Sequence, residues 1–382
     1  MEFLLDRDQA DIQKAAAEFA KGEFDPDAAL EDDREERYPL SLRKKACDLG
    51  FIGIHIPEEY GGQGLGVLDN ALVVEAFCRE DPGLGMALGL ADFGAEIILR
   101  NGNETLKKDL LPAVAQGNGI LSLGFLEEGQ LLSDMGAKAS KNGTGYQLQG
   151  KKDFIPLAGL ADHLIVACRT GPKDAGKISL FLLNRASDPV DIRPSGTQLG
   201  MRMISMEEWV LDNVTVPADR LIGKENEGHG PLMGFLQEMA VEAGAMGIGM
   251  AQGAFDRALD YSGKREQFGK KIIHFDAIRN RLAEMRMQVE TARLAVYKAA
   301  WLLDQGKADA VILWTAKILG AGAALRVSSD AVQIHGGLGY MKEMHVERFY
   351  RDARALDLFL LPGKGLKGRI ADHIAGREGQ ES

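Results

Sequence analysis

The feature that most constrains this chain is a double change of hydrophobic period. Up to residue 116, and again after about residue 226, apolar side chains recur at helical spacing; between them they come in short runs separated by turns. Ile12, Ala16 and Phe19 fall at i, i+4 and i+7, one face of a surface helix. Helical series continue over 42–49, 70–79, 84–101 and 104–116, with a break near Pro82-Gly83. The middle runs, 120–123, 146–148, 163–167, 178–182, 209–211 and 214–216, read as strands, with turns at Asn142-Gly143 and Asn213. The series 233–264, 276–305 and 308–335 are long enough for full bundle helices joined by short loops. The pattern predicts a multidomain α and β chain: a helical domain over 1–116, a β-barrel or sandwich over 117–225, and a helical bundle over 226–382.

The 382 residues can supply two or three separate cores. A formal net charge of −11 argues against nucleic acid as a partner, because phosphate binding needs a basic face. Cys47, Cys78 and Cys168 lie far apart in apolar surroundings, which fits buried free thiols rather than a zinc site or a disulfide framework. No apolar run reaches membrane-spanning length, and the N-terminus turns charged too early for a signal peptide. The expectation is a reduced, cytoplasmic protein.

Two stretches carry the chemistry. One, 333–363, holds Gln333, a His335-Gly336-Gly337-Leu338-Gly339 turn, the run Arg351-Asp352-Ala353-Arg354, and an apolar tail. By itself its glycine cluster reads as a helix stop. The other is Arg265-Glu266-Gln267-Phe268-Gly269. Together they resemble the flavin-binding signature of the acyl-CoA dehydrogenase family. Ile56-Pro57-Glu58-Glu59-Tyr60-Gly61-Gly62-Gln63-Gly64-Leu65, Leu199-Gly200-Met201-Arg202, Val216-Pro217 and the domain order match it too. Several unrelated motifs in the right order are more specific than any one alone.

The resemblance implies the acyl-CoA dehydrogenase fold with its C-terminal four-helix bundle, and FAD between the β-domain and that bundle. It also implies homotetramers in which a neighbouring subunit holds each flavin's adenine end. Arg265 matches the arginine that meets the FAD pyrophosphate, a role suited to a forked guanidinium. Phe268 is expected beside the cofactor. Gln333 and Gly337, with Gly336 between them, match contacts to the neighbouring subunit's diphosphate and ribose. The family's usual glutamine is here Asp276. In the β-domain the family pattern Thr-Glu-Pro-x-x-Gly-Ser-Asp appears as residues 127–134, in which only Ser133-Asp134 is intact. Leu126 and Ser133 are expected at the cofactor. The flavin-lining Trp-Ile-Thr becomes Phe154-Ile155-Pro156, which keeps an aromatic face but loses a hydroxyl and a backbone donor.

The family's reaction removes a proton next to a thioester while a hydride leaves the following carbon for the flavin. The base is a glutamate, commonly six residues past the Arg-Asp-Ala-Arg arginine, where this chain has Leu360. Some members place it on the first bundle helix, where this chain has Met239, followed by Ala240 in place of an arginine. Both positions are apolar and are expected to line the substrate pocket. Asp92 is the leading replacement: it is the only charge in a small, apolar segment until Glu96, and desolvation there suits a general base. The competing reading is a helix cap. Glu238 and Glu242 are reserves, within one turn of the Met239 position.

A moved base implies a moved proton. This constellation resembles the alicyclic acyl-CoA dehydrogenases, those acting on cyclohex-1-ene-1-carboxyl-CoA, with 1,4-elimination to a conjugated diene and electron-transfer flavoprotein as acceptor. The alternatives are a conventional α,β-dehydrogenase using Glu238 or Glu242, and a non-catalytic flavin-binding subunit. His335 and His345 read as structural donors, because no second metal ligand stands at useful spacing.

Overall fold

The computed structural model describes residues 4–128, 132–172, 176–361 and 363–376. The chain opens with helices α1 (Arg7–Glu23), α2 (Pro26–Glu35), α3 (Leu40–Asp48), α4 (Val67–Glu80), α5 (Pro82–Gly89), α6 (Ala95–Asn101) and α7 (Glu104–Ala115). A reciprocal Asp6–Gln9 capping box starts α1. The sequence pattern missed α2, which buries only Ala29 and Asp33 and so carries almost no apolar stripe; Asp25 caps it and Pro26 supplies its first turn.

The expected helix over 84–101 is two helices. The break expected near Pro82 is present, between α4 ending at Glu80 and α5 starting at Pro82, and a second break follows at 90–94, where Gly94 takes φ +93°. Asp92 therefore sits in a turn between α5 and α6.

Strands β1 (Leu121–Gly124), β2 (Lys138–Asn142), β3 (Gly145–Pro156), β4 (His163–Arg169), β5 (Ile178–Asn184), β6 (Val190–Pro194), β7 (Met206–Pro217) and β8 (Leu221–Ile222) form one sheet. Its order is β6-β7-β3-β2-β4-β5-β8, with β1 added parallel to β4. It is a single open sheet, not a closed barrel. Asn213, expected as a turn, lies inside β7 at φ +56°, beside a register shift against β3, so the two short runs there are one bent strand.

The bundle follows: α8 (His229–Lys264), a β9 (Glu266–Gln267) and β10 (Lys270–Lys271) hairpin, α9 (Asp276–Asp304), α10 (Ala310–His335), α11 (Val346–Leu358) and α12 (Gly363–Ile374). Glycines bring α8 and α10 together: a Cβ on Gly320 would stand 2.3 Å from the Gly244 carbonyl oxygen, and one on Gly247 2.4 Å from the Gly320 carbonyl carbon. Contrary to the expectation that no run reaches spanning length, Ala310–Tyr340 is long and apolar enough to cross a membrane by length and composition; here α10 packs against α8, α9 and α11.

Buried charges tie the bundle to the N-terminal helices. Arg348 of α11 pairs with Asp81, the α5 cap, and Arg351 pairs with Asp33 of α2 at 2.9 Å. Asp352 accepts the Met201 N–H at 2.8 Å, drawing in the loop before β7. One hydrophobic core runs through all three regions, and a smaller one gathers Phe19, Phe24 and Phe77 between α1 and α4.

Candidate active site

Three segments meet around an aromatic layer. Phe93, from the turn between α5 and α6, lies edge-on to Phe235 of α8 with ring centres 5.1 Å apart, and 6.1 Å from Phe359 at the end of α11. Each ring marks a residue singled out in the sequence. Phe93 follows Asp92, Phe359 precedes Leu360, and Phe235 lies one helical turn before Met239. Met239 and Leu360 are both buried.

The Asp92 side chain does not cap α6. Gly94 is that helix's first flanking residue and has no side-chain cap, whereas Asp92 Oδ2 accepts the Gly53 N–H at 2.9 Å. Around Asp92 lie His55, which the sequence did not single out, Glu96, and the two reserve carboxylates Glu238 and Glu242. His55 sits between two carboxylates, with Nδ1 3.8 Å from Asp92 Oδ2 and Nε2 3.1 Å from Glu96 Oε1. Glu238 pairs with Arg100 of α6. Glu242 is buried against Gly89, and its Oε1 has no hydrogen-bond partner among the described residues. The one legible signal for the cluster was the pair Asp92 and Glu96 at i, i+4; nothing local tied His55 to it.

Electrostatics separate these groups. Burial, then Asp92, Glu96 and Glu238, push Glu242 well above the usual carboxylate range, which favours its protonated form. Burial pushes Glu96 up to about 7, with His55 opposing and Asp92 and Glu238 adding to the rise. Burial alone lowers a histidine, but Glu96 and Asp92 outweigh it and raise His55 above its ordinary value.

The β-domain residues form a second group. Leu126 accepts the Asp153 N–H at 3.0 Å, which sets it beside Phe154. A register shift between β3 and β7 turns Phe154 outward at φ +53°, 51% exposed, while Ile155 is buried. A left-handed non-glycine residue is strained, and here the strain presents an aromatic face to the domain surface. The Pro156 carbonyl accepts the Ser122 hydroxyl at 2.6 Å. Glu127, in the place of the family's threonine, turns inward to Lys152 at 2.6 Å and takes the Gly136 and Ala137 N–H groups. Residues 129–131 and the Ser133 side chain lie outside the described residues.

The third group stands at the far end of the bundle. Tyr261 stacks on His335 at 4.4 Å, and His335 Nδ1 bonds the Ala331 carbonyl, which joins the end of α8 to the turn after α10. Phe268 and Gly269, both at positive φ, form the tip of the β9–β10 hairpin. Phe268 is 92% exposed, packed only edge-on near Phe275. The Arg265 side chain makes no hydrogen bond or ion pair among the described residues. Gln333 is exposed, and a Cβ on Gly336 or Gly337 would meet nothing within 4 Å. An uncommitted guanidinium beside open glycine backbone fits a pyrophosphate, as the exposed Phe154 fits a planar ring. Asp276 pairs with Arg279 in the first turn of α9.

Met239 and Arg265 stand on the same helix, α8, separated by about 39 Å at 1.5 Å per residue. The phosphate-type residues of one copy are thus remote from its own acyl pocket.

Comparison with known proteins agrees with this layout. Residues 6–118, 126–214 and 226–360 match, in turn, the family descriptions "Acyl-CoA dehydrogenase, N-terminal domain", "middle domain" and "C-terminal domain". The chain is 35% identical to a probable acyl-CoA dehydrogenase, YngJ, of Bacillus subtilis (strain 168), over 94% of this chain and 95% of that one. It is 34% identical to the cyclohex-1-ene-1-carbonyl-CoA dehydrogenase of Syntrophus aciditrophicus (strain SB), over 87% of this chain and 81% of that one. A chain of the solved structure described as "Electron transferring flavoprotein of Acidaminococcus fermentans: Towards a mechanism of flavin-based electron bifurcation" superposes with a TM-score of 0.93 at 33% identity, covering 98% of this chain and 99% of that one.

Proposed function

The chain belongs to the acyl-CoA dehydrogenase family and is an FAD-dependent enzyme of that kind, and from this premise we propose that it dehydrogenates a cyclic thioester, cyclohex-1-ene-1-carboxyl-CoA, by 1,4-elimination with Asp92 as base. The observation that carries the reading is the distribution of charge around the aromatic layer. Both conventional base positions, Met239 and Leu360, are buried and apolar, while the carboxylates gather at Asp92.

FAD, when bound, supplies the hydride acceptor. The residues supply the rest. Leu360 and Met239 leave no base facing the carbon beside the thioester, which disfavours ordinary α,β-elimination. An α,β-unsaturated ring carries acidic protons further out by vinylogy, and Asp92 takes one of those. Glu242 is a poor base because burial favours its protonated form, and Glu238 is committed to Arg100. The name of the Syntrophus relative agrees with this substrate class.

Arg265, Phe268, Gln333, Gly336 and Gly337 hold the phosphate and adenine end of a partner's FAD, and Leu126, Ser133, Phe154, Ile155 and Pro156 face the ring end of the chain's own. Self-association, as a homotetramer, is supported by Met287, Leu294 and Trp301, exposed at seven-residue spacing along α9. Electrons pass to an electron-transfer flavoprotein, a partner in keeping with the Acidaminococcus likeness. The setting is cytoplasmic, where the three thiols stay reduced.

Asp92→Asn tests the base. Asparagine keeps an oxygen for the Gly53 N–H, so the turn survives while the proton acceptor is lost. Flavin bleaching on mixing with cyclohex-1-ene-1-carboxyl-CoA should slow by about 100-fold or more. Turnover at the parent level would sink the assignment, and a parent protein that stays yellow with every acyl-CoA would make the chain a non-catalytic flavin subunit.

A further inference from the structure

We propose that His55 and Glu96 carry the proton away from Asp92 to a surface cleft between α6 and α8, resetting the base after each turnover. The proposal rests on the reading of Asp92 as base.

A buried base that accepts a proton must lose it before it can act again. The Asp92 side chain is only 13% exposed, and its Oδ2 is already engaged by the Gly53 N–H, so bulk water has little access to it. His55 is the group that adjoins it. One ring nitrogen faces Asp92 at 3.8 Å and the other lies 3.1 Å from Glu96 Oε1 without hydrogen-bond alignment, and a small ring rotation is what would bring the imidazole into line with its two neighbours. Glu96 in turn lines a cleft of about 270 Å³ shared with Arg100, Gly230, Gly234 and Phe235, and half of the Arg100 side chain is open to solvent. The Glu96 Oε2 atom is buried with no hydrogen-bond partner among the described residues, leaving one oxygen uncommitted. Base, imidazole, carboxylate and cleft thus stand in line.

The step is proton transfer only. Asp92 gives its proton to His55 Nδ1 as the proton on Nε2 passes to Glu96 Oε1; Glu96 releases that proton to water in the cleft, and His55 regains its starting tautomer by losing the Nδ1 proton and taking one at Nε2 through water, with no net change in its protons. The electrons leave separately, with the hydride. The charged and titratable groups that face His55 are Asp92, Glu96 and Arg100 from the α5–α6 segment and Glu238 from α8. Glu242 of α8 faces Asp92 and Glu96 from the other side. Burial lifts Glu96 to about 7, and Glu96 and Asp92 raise His55, so the carboxyl moves toward the range in which an imidazole exchanges protons.

The test separates the first turnover from those that follow. In His55→Asn holoenzyme, the first bleaching by cyclohex-1-ene-1-carboxyl-CoA should keep about the parent rate, because the relay acts only after Asp92 has taken the first proton. Steady turnover with an artificial one-electron acceptor should fall by about tenfold or more, and added imidazole should restore it. Glu96→Gln, which keeps the shape but cannot carry a proton, should behave alike and carries the test if His55→Asn fails to fold. Steady turnover at the parent level in the folded variants would overturn the relay, as would a first bleaching slowed as much as turnover without imidazole rescue. Failure of the base reading is told apart by Asp92→Asn, which would then turn over normally.

Discussion

Lys317 straddles Leu360: its buried Nζ donates to the carbonyls of Phe359 and Leu361, the residues on either side. Leu360 itself takes φ +63°, a conformation that costs a non-glycine residue about 1–2 kcal/mol. The turn that replaces the family's catalytic segment is therefore held by a side chain from α10. Lys317→Met removes both charged hydrogen bonds, leaving the Phe359 carbonyl only the Leu361 N–H and the half-buried Leu361 carbonyl without this donor, and should lower stability by about 1–3 kcal/mol, read as a shift in denaturant midpoint. An unchanged midpoint would mean that water satisfies both carbonyls.

Leu360→Glu places a carboxylate at the conventional base position, on a turn that is already formed. The variant should gain α,β-dehydrogenation of saturated cyclohexanecarboxyl-CoA, seen as flavin bleaching by a thioester that leaves the parent yellow. Burial will hold the new carboxyl above its usual range, so the gained rate should rise with pH. If the parent bleaches with the saturated thioester at the same rate, its base already faces the carbon beside the thioester and the Asp92 reading falls.

Arg265 gives a prediction about affinity rather than chemistry. It is exposed and uncommitted, so Arg265→Gln should leave the apoprotein's thermal midpoint within a degree or two. Losing charged hydrogen bonds to a pyrophosphate should cost about 1.5–3 kcal/mol, or roughly 10–100-fold in FAD affinity. Equilibrium dialysis of the apoprotein against FAD measures it, and equal affinity would remove Arg265 from the cofactor site.

What the sequence revealed follows the range of the forces involved. The Arg265 hairpin and the glycine turn at 336–337 were legible because turn chemistry is local: positive φ at Gly269 and Gly336 calls for glycine whatever surrounds it. The long bundle helices were legible for the same reason, through their period. The break at Pro82 was legible because Asp81 as cap and Pro82 at the first turn are local signals, whereas the second break, at 90–94, was missed because the segment stays apolar through it and only Gly94 marks it. His55 was missed because its partners lie about 40 residues away and meet it only through packing between the 51–56 loop and α6. Likewise, Glu127 reads as a lost flavin contact, and only the fold shows it paired with Lys152.

Asp352 yields a prediction about pH. It lies buried beneath the loop before β7, accepting the Met201 N–H through one oxygen while the other has no hydrogen-bond partner among the described residues. Burial pushes its pKa from 3.8 up to about 7, although Arg351 and Arg348 pull the other way. Below pH 3.8 both folded and unfolded chains hold the proton, and the group's stabilising contribution is fully present. Between 3.8 and about 7 the unfolded chain has released the proton and the folded chain has not. Stability therefore falls as pH rises, by roughly 2–4 kcal/mol in all, and the contribution is gone above about 7. Glu96 and Glu242 slope in the same direction, so the total profile does not isolate Asp352, but a difference between two proteins does. Asp352→Asn cannot titrate and keeps an oxygen for Met201. The parent's unfolding free energy minus the variant's, measured from pH 4 to pH 8, should fall steadily as pH rises, whatever the variant's absolute stability. A constant gap across that range would show that Asp352 is ionised in the fold, balanced by Arg348 and Arg351.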